Sequence, residues 1–331
     1  LGGKRKVQSD KVAHQGAFVL EPIRNWLTHI EFNYSTNTWD VRETSTPYYN
    51  HDVAGNIIDT KGTSSLYQDH KKENYLNLNI YSDYSFSLNE THNFKVMAGF
   101  QAEEMKQSFF SAKAYGLLLE DLPEFDLTNS LDGAGNQKIP EVKGYRNEWA
   151  TAGFFGRINY DYQGKYLAEV NMRYDGTSRF RRGSRWELYP SFSIGWNVAR
   201  EEFWQPLERI VNTLKIRGSY GELGNQNTTG WYPTYRVMEL KSADSDKAWL
   251  QGGAYPNTAN IGDLISTVLT WETVRSWNVG LDLGLFRNRL TGSFDLFNRY
   301  TDNMVGPAPE LPNILGITAP KTNNCDLKTT G

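Results

Sequence analysis

The sequence predicts an all-β fold, an antiparallel transmembrane β-barrel, from three observations. Apolar and polar residues alternate with a period of two over long stretches, the mark of strands with two unlike faces. The connections between those stretches are short and long in turn, as in a barrel with tight turns on one rim and long loops on the other. The apolar face is free of charge and aromatic near its ends, while the polar face carries full charges of both signs. Lipid outside and water inside produce that division.

Ten strands follow from the pattern, near 11–21, 26–42, 72–88, 92–110, 148–162, 166–178, 187–199, 213–224, 271–285 and 289–303. The alternation is clearest in the middle. Phe154, Ile158 and Tyr160 alternate with Arg157, Asn159 and Asp161; Val170 and Met172 with Glu169, Asn171 and Arg173; Phe192, Ile194 and Trp196 with Ser191, Ser193 and Asn197; Ile216 and Tyr220 with Lys215, Arg217 and Ser219. Leu76–Leu88, Phe94–Phe100 and Trp277–Leu285 repeat it. Each stripe covers roughly 9–11 residues, the length a tilted strand needs to cross a bilayer. Tight connections fall at Glu21–Asn25, Asn89–His92, Gln163–Lys165 and Arg287–Asn288. A fifth, Arg200–Thr213, has room for a helical turn over Glu201–Glu208. Long loops fall near 43–71, 111–147, 225–270 and from 302 onward. A soluble sheet with one face on a core is the competing fold, but its strands average five or six residues.

The chain has 331 residues and a net charge of −3, so no global field draws nucleic acid. Mean hydropathy is −0.60, a soluble-looking value that a barrel also gives, because lumen residues and loops dilute a thin lipid-facing stripe. No apolar run approaches the roughly 18 residues of a membrane helix. Cys325 is the one cysteine, which rules out an intrachain disulfide and Cys-based metal sites. The basic start Leu1–Lys6 has no apolar run behind it and is not a signal peptide.

Little in the sequence carries reaction chemistry, and no cofactor or metal is expected. The five histidines are His14, His29, His51, His70 and His92, none in a His-Glu-x-x-His spacing. Neither a nucleophile elbow nor a P-loop occurs. Counting acids does not exclude a glycosidase pair, yet they share strand positions with Arg and Asn and read as a hydrated wall. Asp132-Gly133-Ala134-Gly135-Asn136 holds only part of a calcium ligand set and reads as a turn. Two features have a functional reading. The loop 225–270 holds Trp231, Tyr232, Tyr235, Trp249 and Tyr255, stacking platforms for sugars or grips for peptides, or else rings packed within the loop or on a partner. The cluster Arg179, Arg181, Arg182 and Arg185 suits lipopolysaccharide phosphates by bidentate geometry, although pairing with neighbouring acids such as Glu187 is favoured.

Several runs resemble a known family. They are Gly156-Arg157-Ile158-Asn159-Tyr160-Asp161-Tyr162, Arg173-Tyr174-Asp175-Gly176-Thr177-Ser178-Arg179-Phe180, Pro190-Ser191-Phe192-Ser193-Ile194-Gly195-Trp196, Leu214-Lys215-Ile216-Arg217-Gly218-Ser219-Tyr220-Gly221 and Tyr300-Thr301-Asp302-Asn303-Met304. As a set they are similar to the SusC/RagA TonB-dependent outer-membrane transporters of Bacteroidetes-type bacteria. The likeness covers roughly Glu148 to the end; residues 1–147 match mainly in pattern.

The resemblance implies a chain in the Gram-negative outer membrane that is not an enzyme. It implies import of nutrient oligomers, glycan fragments foremost and peptides in some members, with a SusD-like surface lipoprotein as lid and TonB supplying energy through a plug. Lipid and lipopolysaccharide are the surrounding partners. Family barrels have about 22 strands, so residues 1–331 are expected to be a barrel segment without plug or terminal strands. Ten strands make five hairpins, which places both ends on the outer rim. The alternative function is a soluble β-rich carbohydrate-binding module, in which the apolar stripes face a protein core.

Overall fold

A computed structural model describes residues 3–226, 230–241, 258–261, 264–308, 312 and 319–331. Eleven strands form one sheet, in the order in which they occur. They are β1 (Gly3–Ile23), β2 (Trp26–Ser45), β5 (Ser65–Leu88), β6 (His92–Tyr115), β7 (Glu141–Tyr162), β8 (Tyr166–Thr177), β9 (Trp186–Asn197), β10 (Val211–Asn225), β13 (Glu272–Leu285), β14 (Leu290–Val305) and β15 (Asn323–Thr330). The long loops hold two small hairpins, β3 (Tyr48–His51) with β4 (Ile57–Lys61) and β11 (Met238–Lys241) with β12 (Thr258–Ile261). The chain packs as two compact units. One comprises Leu1–Gly16, Glu31–Leu78 and Glu103–Trp149; the other comprises Ala17–Ile30, Asn79–Ala102 and Ala150–Gly331.

In the second unit the register turns the alternation into stripes. Antiparallel partners share a face. Ile158 pairs with Val170, Val170 with Phe192, Phe192 with Tyr220 and Tyr220 with Trp277. The next row runs Tyr160, Ala168, Ile194, Gly218, Val279 and Leu296. This apolar face lies open: Ile194 is 66% exposed, Phe192 53% and Val170 51%. In a soluble module such a face would be the buried core. Here apolar side chains are more exposed than the charged ones behind them, which is the arrangement of a sheet in lipid. The carbohydrate-binding module fails on this point.

Aromatic rings edge the stripe at both ends. Tyr162, Tyr166 and Trp196 stack in sequence beside the tight turn, with centroids 6.1 and 6.4 Å apart. At the other end Trp186 stacks on Tyr174 at 5.1 Å and on Phe154 at 6.4 Å. Its ring covers Gly176, where a Cβ would lie 2.6 Å from the indole; only glycine fits there. Tyr166 and Tyr174 bracket β8 eight residues apart, about 26 Å along a strand, matching the apolar band of an outer-membrane barrel. The tight turns are built from left-handed residues: Asn89 and Glu90 have φ of 52° and 59°, and Gln163 and Gly164 have 51° and 66°. Paired positive φ gives the two-residue turn whose twist suits flanking strands.

The buried core sits beyond the end of the apolar stripe, in the long-loop region. Phe180 is fully buried with Tyr189, Leu269 and Trp271, and Val305 packs against them. Phe180 and Tyr189 meet Trp271 edge-on at 5.7 and 5.8 Å, a favoured ring geometry. The Trp271 indole donates to the Arg185 carbonyl at 3.1 Å. One small cluster thus joins the β8–β9 loop to the start of β13.

Three expectations change. There are eleven strands in the sheet, not ten: β15 pairs with β14 through Tyr300–Lys328 and Thr301–Leu327. An odd count in up-and-down order makes β15 run in the direction of β1, so the two ends do not share a rim. The charged, short repeat Asn323–Thr330 lacks a clean apolar stripe, which hid it. Second, the early strands are longer than expected. β5 and β6 each have 24 residues, over twice the roughly 9–11 that cross a bilayer. Outside hydrocarbon the outward face need not be apolar, so pairing continues where the alternation fades. Third, the expected helical turn is two 3-10 turns, Val198–Arg200 and Glu202–Leu207.

Val170→Arg is expected to destabilise the folded barrel by about 2–4 kcal/mol, whereas Ser193→Arg on the polar face costs far less; urea titration of protein folded into lipid vesicles measures both. Trp271→Ala is expected to cost about 3–5 kcal/mol as a large-to-small change in a packed cluster, with hydrogen exchange rising in the β8–β9 loop before the strands.

Candidate functional site: the polar wall and the loop above it

The polar face of the second unit forms an open concavity of about 890 Å³, lined among others by Lys95, Asn159, Glu169, Lys215, Arg217 and Asn278. Its groups hold one another. Glu169 accepts from Asn171 at 2.7 Å and from Asn159 at 2.5 Å, and Arg157 donates to Asn171 at 2.6 Å. Arg217 bridges Asp295 at 2.7 Å and Asp282 at 3.2 Å. Arg173 grips Asp175 through two nitrogens at 3.0 and 2.9 Å and reaches Gln101 at 3.2 Å. Asp83 is buried between Lys95 at 3.0 Å and His29 at 3.6 Å. Cross-strand pairing of opposite charges is what lets a charged face stand without a core. The result is a wall that offers hydrated donors and acceptors to a passing polar solute, with each of these carboxylates committed to a cation or an amide.

The loop after β10 is tied to the wall's outer end. Thr234 is fully buried. Arg181 donates to its carbonyl through Nε and Nη2 at 3.2 and 3.1 Å, and its hydroxyl donates to the Arg179 carbonyl at 3.0 Å. Around this anchor Tyr232 and Tyr235 are 39% and 46% exposed, while Trp231 is half-buried. Of the five aromatic residues expected to meet cargo, these three share one turn; Trp249 and Tyr255 lie outside the described residues. The anchor was not legible in the sequence, since a buried Thr and an Arg 53 positions away carry no local pattern.

Two arginines of the cluster, Arg181 and Arg185, serve the protein's own backbone. Arg185 donates to the Phe180 carbonyl at 3.3 Å, and Arg181 is committed to Thr234. Burial holds the Arg179 guanidinium below its ordinary pKa. For Arg181 and Arg185 the partners are carbonyls, which a folded loop leaves in need of donors, in place of neighbouring acids such as Glu187.

The run Asp132–Asn136 is a turn. Asp132 Oδ1 accepts from the backbone N–H of Ala134 and Asn136 at 2.9 and 2.8 Å, and Oδ2 from the Asn136 amide at 3.2 Å. Asp52–Asn56 in the β3–β4 hairpin repeats this bonding, with distances of 2.8, 2.8 and 3.0 Å. Hydrogen bonds from Asn136 and Asn56 hold both aspartates below the ordinary carboxyl pKa. The oxygens a cation would need are occupied by the turn itself. Among the described residues no group of three or more His, Cys, Asp or Glu is placed to hold a metal.

The family described as TonB dependent receptor-like, beta-barrel matches residues 8–329. TonB-dependent receptor P3 of Formosa agariphila is 30% identical over 78% of this chain, and TonB-dependent receptor SusC of Bacteroides thetaiotaomicron is 27% identical over 75%. The chain spans 24% and 23% of the length of these two relatives. The RagAB peptide transporter shares the fold with a TM-score of 0.82 at 21% identity, over 99% of this chain and 34% of that one. These relatives are receptors and transporters rather than enzymes. With its apolar face turned to lipid and the family match running over nearly its whole length, the chain belongs to the TonB-dependent receptor β-barrels of the outer membrane and is of the SusC/RagA type.

Proposed function

We propose that this chain supplies barrel wall and outer loops to a transporter that imports nutrient oligomers, glycan fragments foremost, across the outer membrane. The observation that carries the reading is the polar face: a concave wall of mutually paired charges and amides behind an apolar face open to lipid. Such a wall passes polar solutes without trapping them, because the carboxylates of Glu169, Asp282 and Asp295 are already engaged by amides or by Arg217. We place its strands within a larger barrel of about 22 strands, the size that leaves a plugged lumen, with residues 1–331 as barrel and the plug elsewhere. TonB-derived energy acts through that plug, and a SusD-like lipoprotein closes the outer mouth. Trp231, Tyr232 and Tyr235, with Trp249 and Tyr255, are proposed to contact cargo on its way in. Peptide cargo is the second reading, favoured by the fold shared with the RagAB peptide transporter.

Deleting the gene in the producing bacterium is expected to abolish growth on one class of oligosaccharide while growth on its monosaccharides continues, and a protonophore is expected to stop uptake of the labelled oligomer. Unchanged uptake in the deletion strain overturns the transporter reading. Tyr232→Ala with Tyr235→Ala is expected to raise the half-saturating oligomer concentration about tenfold, as losing a stacking pair would.

A further inference from the structure

On the tight-turn rim, the inner one in an outer-membrane barrel, most turns are polar where they leave the ladder. Asn89-Glu90 joins β5 to β6, and Gln163-Gly164 joins β7 to β8. The connection from β9 to β10 and the turn from β13 to β14 differ. Phe203 is 64% exposed, Phe286 55%, Ile210 53% and Leu207 46%, about as open as the lipid-facing stripe. Loose packing does not account for this, because hydrogen bonds hold both segments. The Trp204 indole donates to the Val211 carbonyl at 2.9 Å and the Phe286 N–H to the Ile210 carbonyl at 2.8 Å. The Asn212 amide donates to Asn288 Oδ1 at 2.6 Å. Apolar side chains held open on a fixed backbone mark a contact surface.

We propose that residues 202–210 and 286–288 form a foot that binds the phospholipid monolayer on the inner side of the outer membrane. Continuity with the lipid-facing stripe selects this partner. Val211 pairs with Leu285, and Leu285 with Leu290, so the apolar row on that face runs up to the residues that flank Ile210 and Phe286. On β9, Trp196 stands at the aromatic edge of the stripe. Its indole donates to Glu201 at 3.0 Å, and Glu201 pairs with Lys165 at 3.2 Å. The start of the connection is thereby tied to the lipid side of the sheet. Past the aromatic edge lies the headgroup zone, where a surface segment buries apolar side chains roughly 5–10 Å deep and rings are favoured. Arg209 and Arg287 are exposed next to Ile210 and Phe286, and a guanidinium meets a phosphodiester with paired N–H groups. Glu202 and Glu208 are exposed on the same connection, so the attraction rests on apolar burial and phosphate contact rather than on net charge. The foot fixes the depth of β9, β10, β13 and β14 in the bilayer, independently of any cargo.

The test uses the protein extracted from the outer membrane and placed in nanodiscs of phosphatidylethanolamine and phosphatidylglycerol, whose two sides are both open to solutes. Cys325→Ser removes the native thiol, and a nitrobenzoxadiazole label is attached at Phe203→Cys, at Leu207→Cys or, as the hydrated reference, at Glu90→Cys in the β5–β6 turn. Lipid carrying a nitroxide near its carbonyl is expected to quench the labels at 203 and 207 at least about threefold more than the label at 90, and iodide at least about threefold less. Adding Phe286→Ser to the Leu207→Cys protein is expected to lower its quenching by lipid at least about twofold, since the two segments share one monolayer contact. Heat-modifiable gel mobility shows which variants are folded, and either of positions 203 and 207 suffices. The proposal falls if both labels are as open to iodide as the one at 90, which would leave the patch to a soluble partner. It falls equally if both are shielded from iodide and from the lipid nitroxide, because another protein segment would then cover the patch.

Discussion

Hydrocarbon offers a backbone no partner, so every N–H and C=O of a strand within it must bond to the next strand. That constraint organises the whole sheet. It requires neighbours in sequence to be neighbours in space, because a tight turn is the shortest way to satisfy the next ladder; the observed order of eleven strands follows. It also fixes register. A one-residue slip would turn Ile194 and Val170 toward water and Glu169 and Arg217 toward lipid, and the cost of burying those charges makes a single pairing prevail.

Given the ladder, side chains are free to serve two solvents. Toward lipid they need only be apolar, and the open stripe through Val170, Phe192 and Trp277 does no more than that. On the other face they balance charge laterally, strand to strand. Arg217 between Asp282 and Asp295 and Asp83 between His29 and Lys95 show how this is done. Ordinary side-chain packing holds the Phe180–Trp271 cluster together, where loops leave the strand ladder and need another source of cohesion. The same cluster, with Arg181 and Thr234 beside it, gives the aromatic turn at Trp231–Tyr235 a fixed base, so a binding element on a long loop borrows rigidity from its neighbours.

By itself the sequence determined the fold class, the two faces and the position of nearly every crossing strand, because lipid imposes a period of two that can be read residue by residue: Phe154, Ile158, Val170 and Ile194 stand open on one face and Glu169, Arg173 and Arg217 on the other, as the alternation demands. Where lipid no longer acts, the pattern weakens and legibility ends. The outer lengths of β5 and β6, the strand Asn323–Thr330 and the hairpins within the long loops were decided by backbone pairing rather than by an apolar stripe. The tertiary structure alone decided that Arg181 and Arg185 would bond to carbonyls, that Thr234 would be an anchor, and that Glu73, Gln107 and Asn147 would meet across three strands. Apart from the local Arg185–Phe180 bond, those contacts join residues far apart in the chain, and a local pattern carries no record of them.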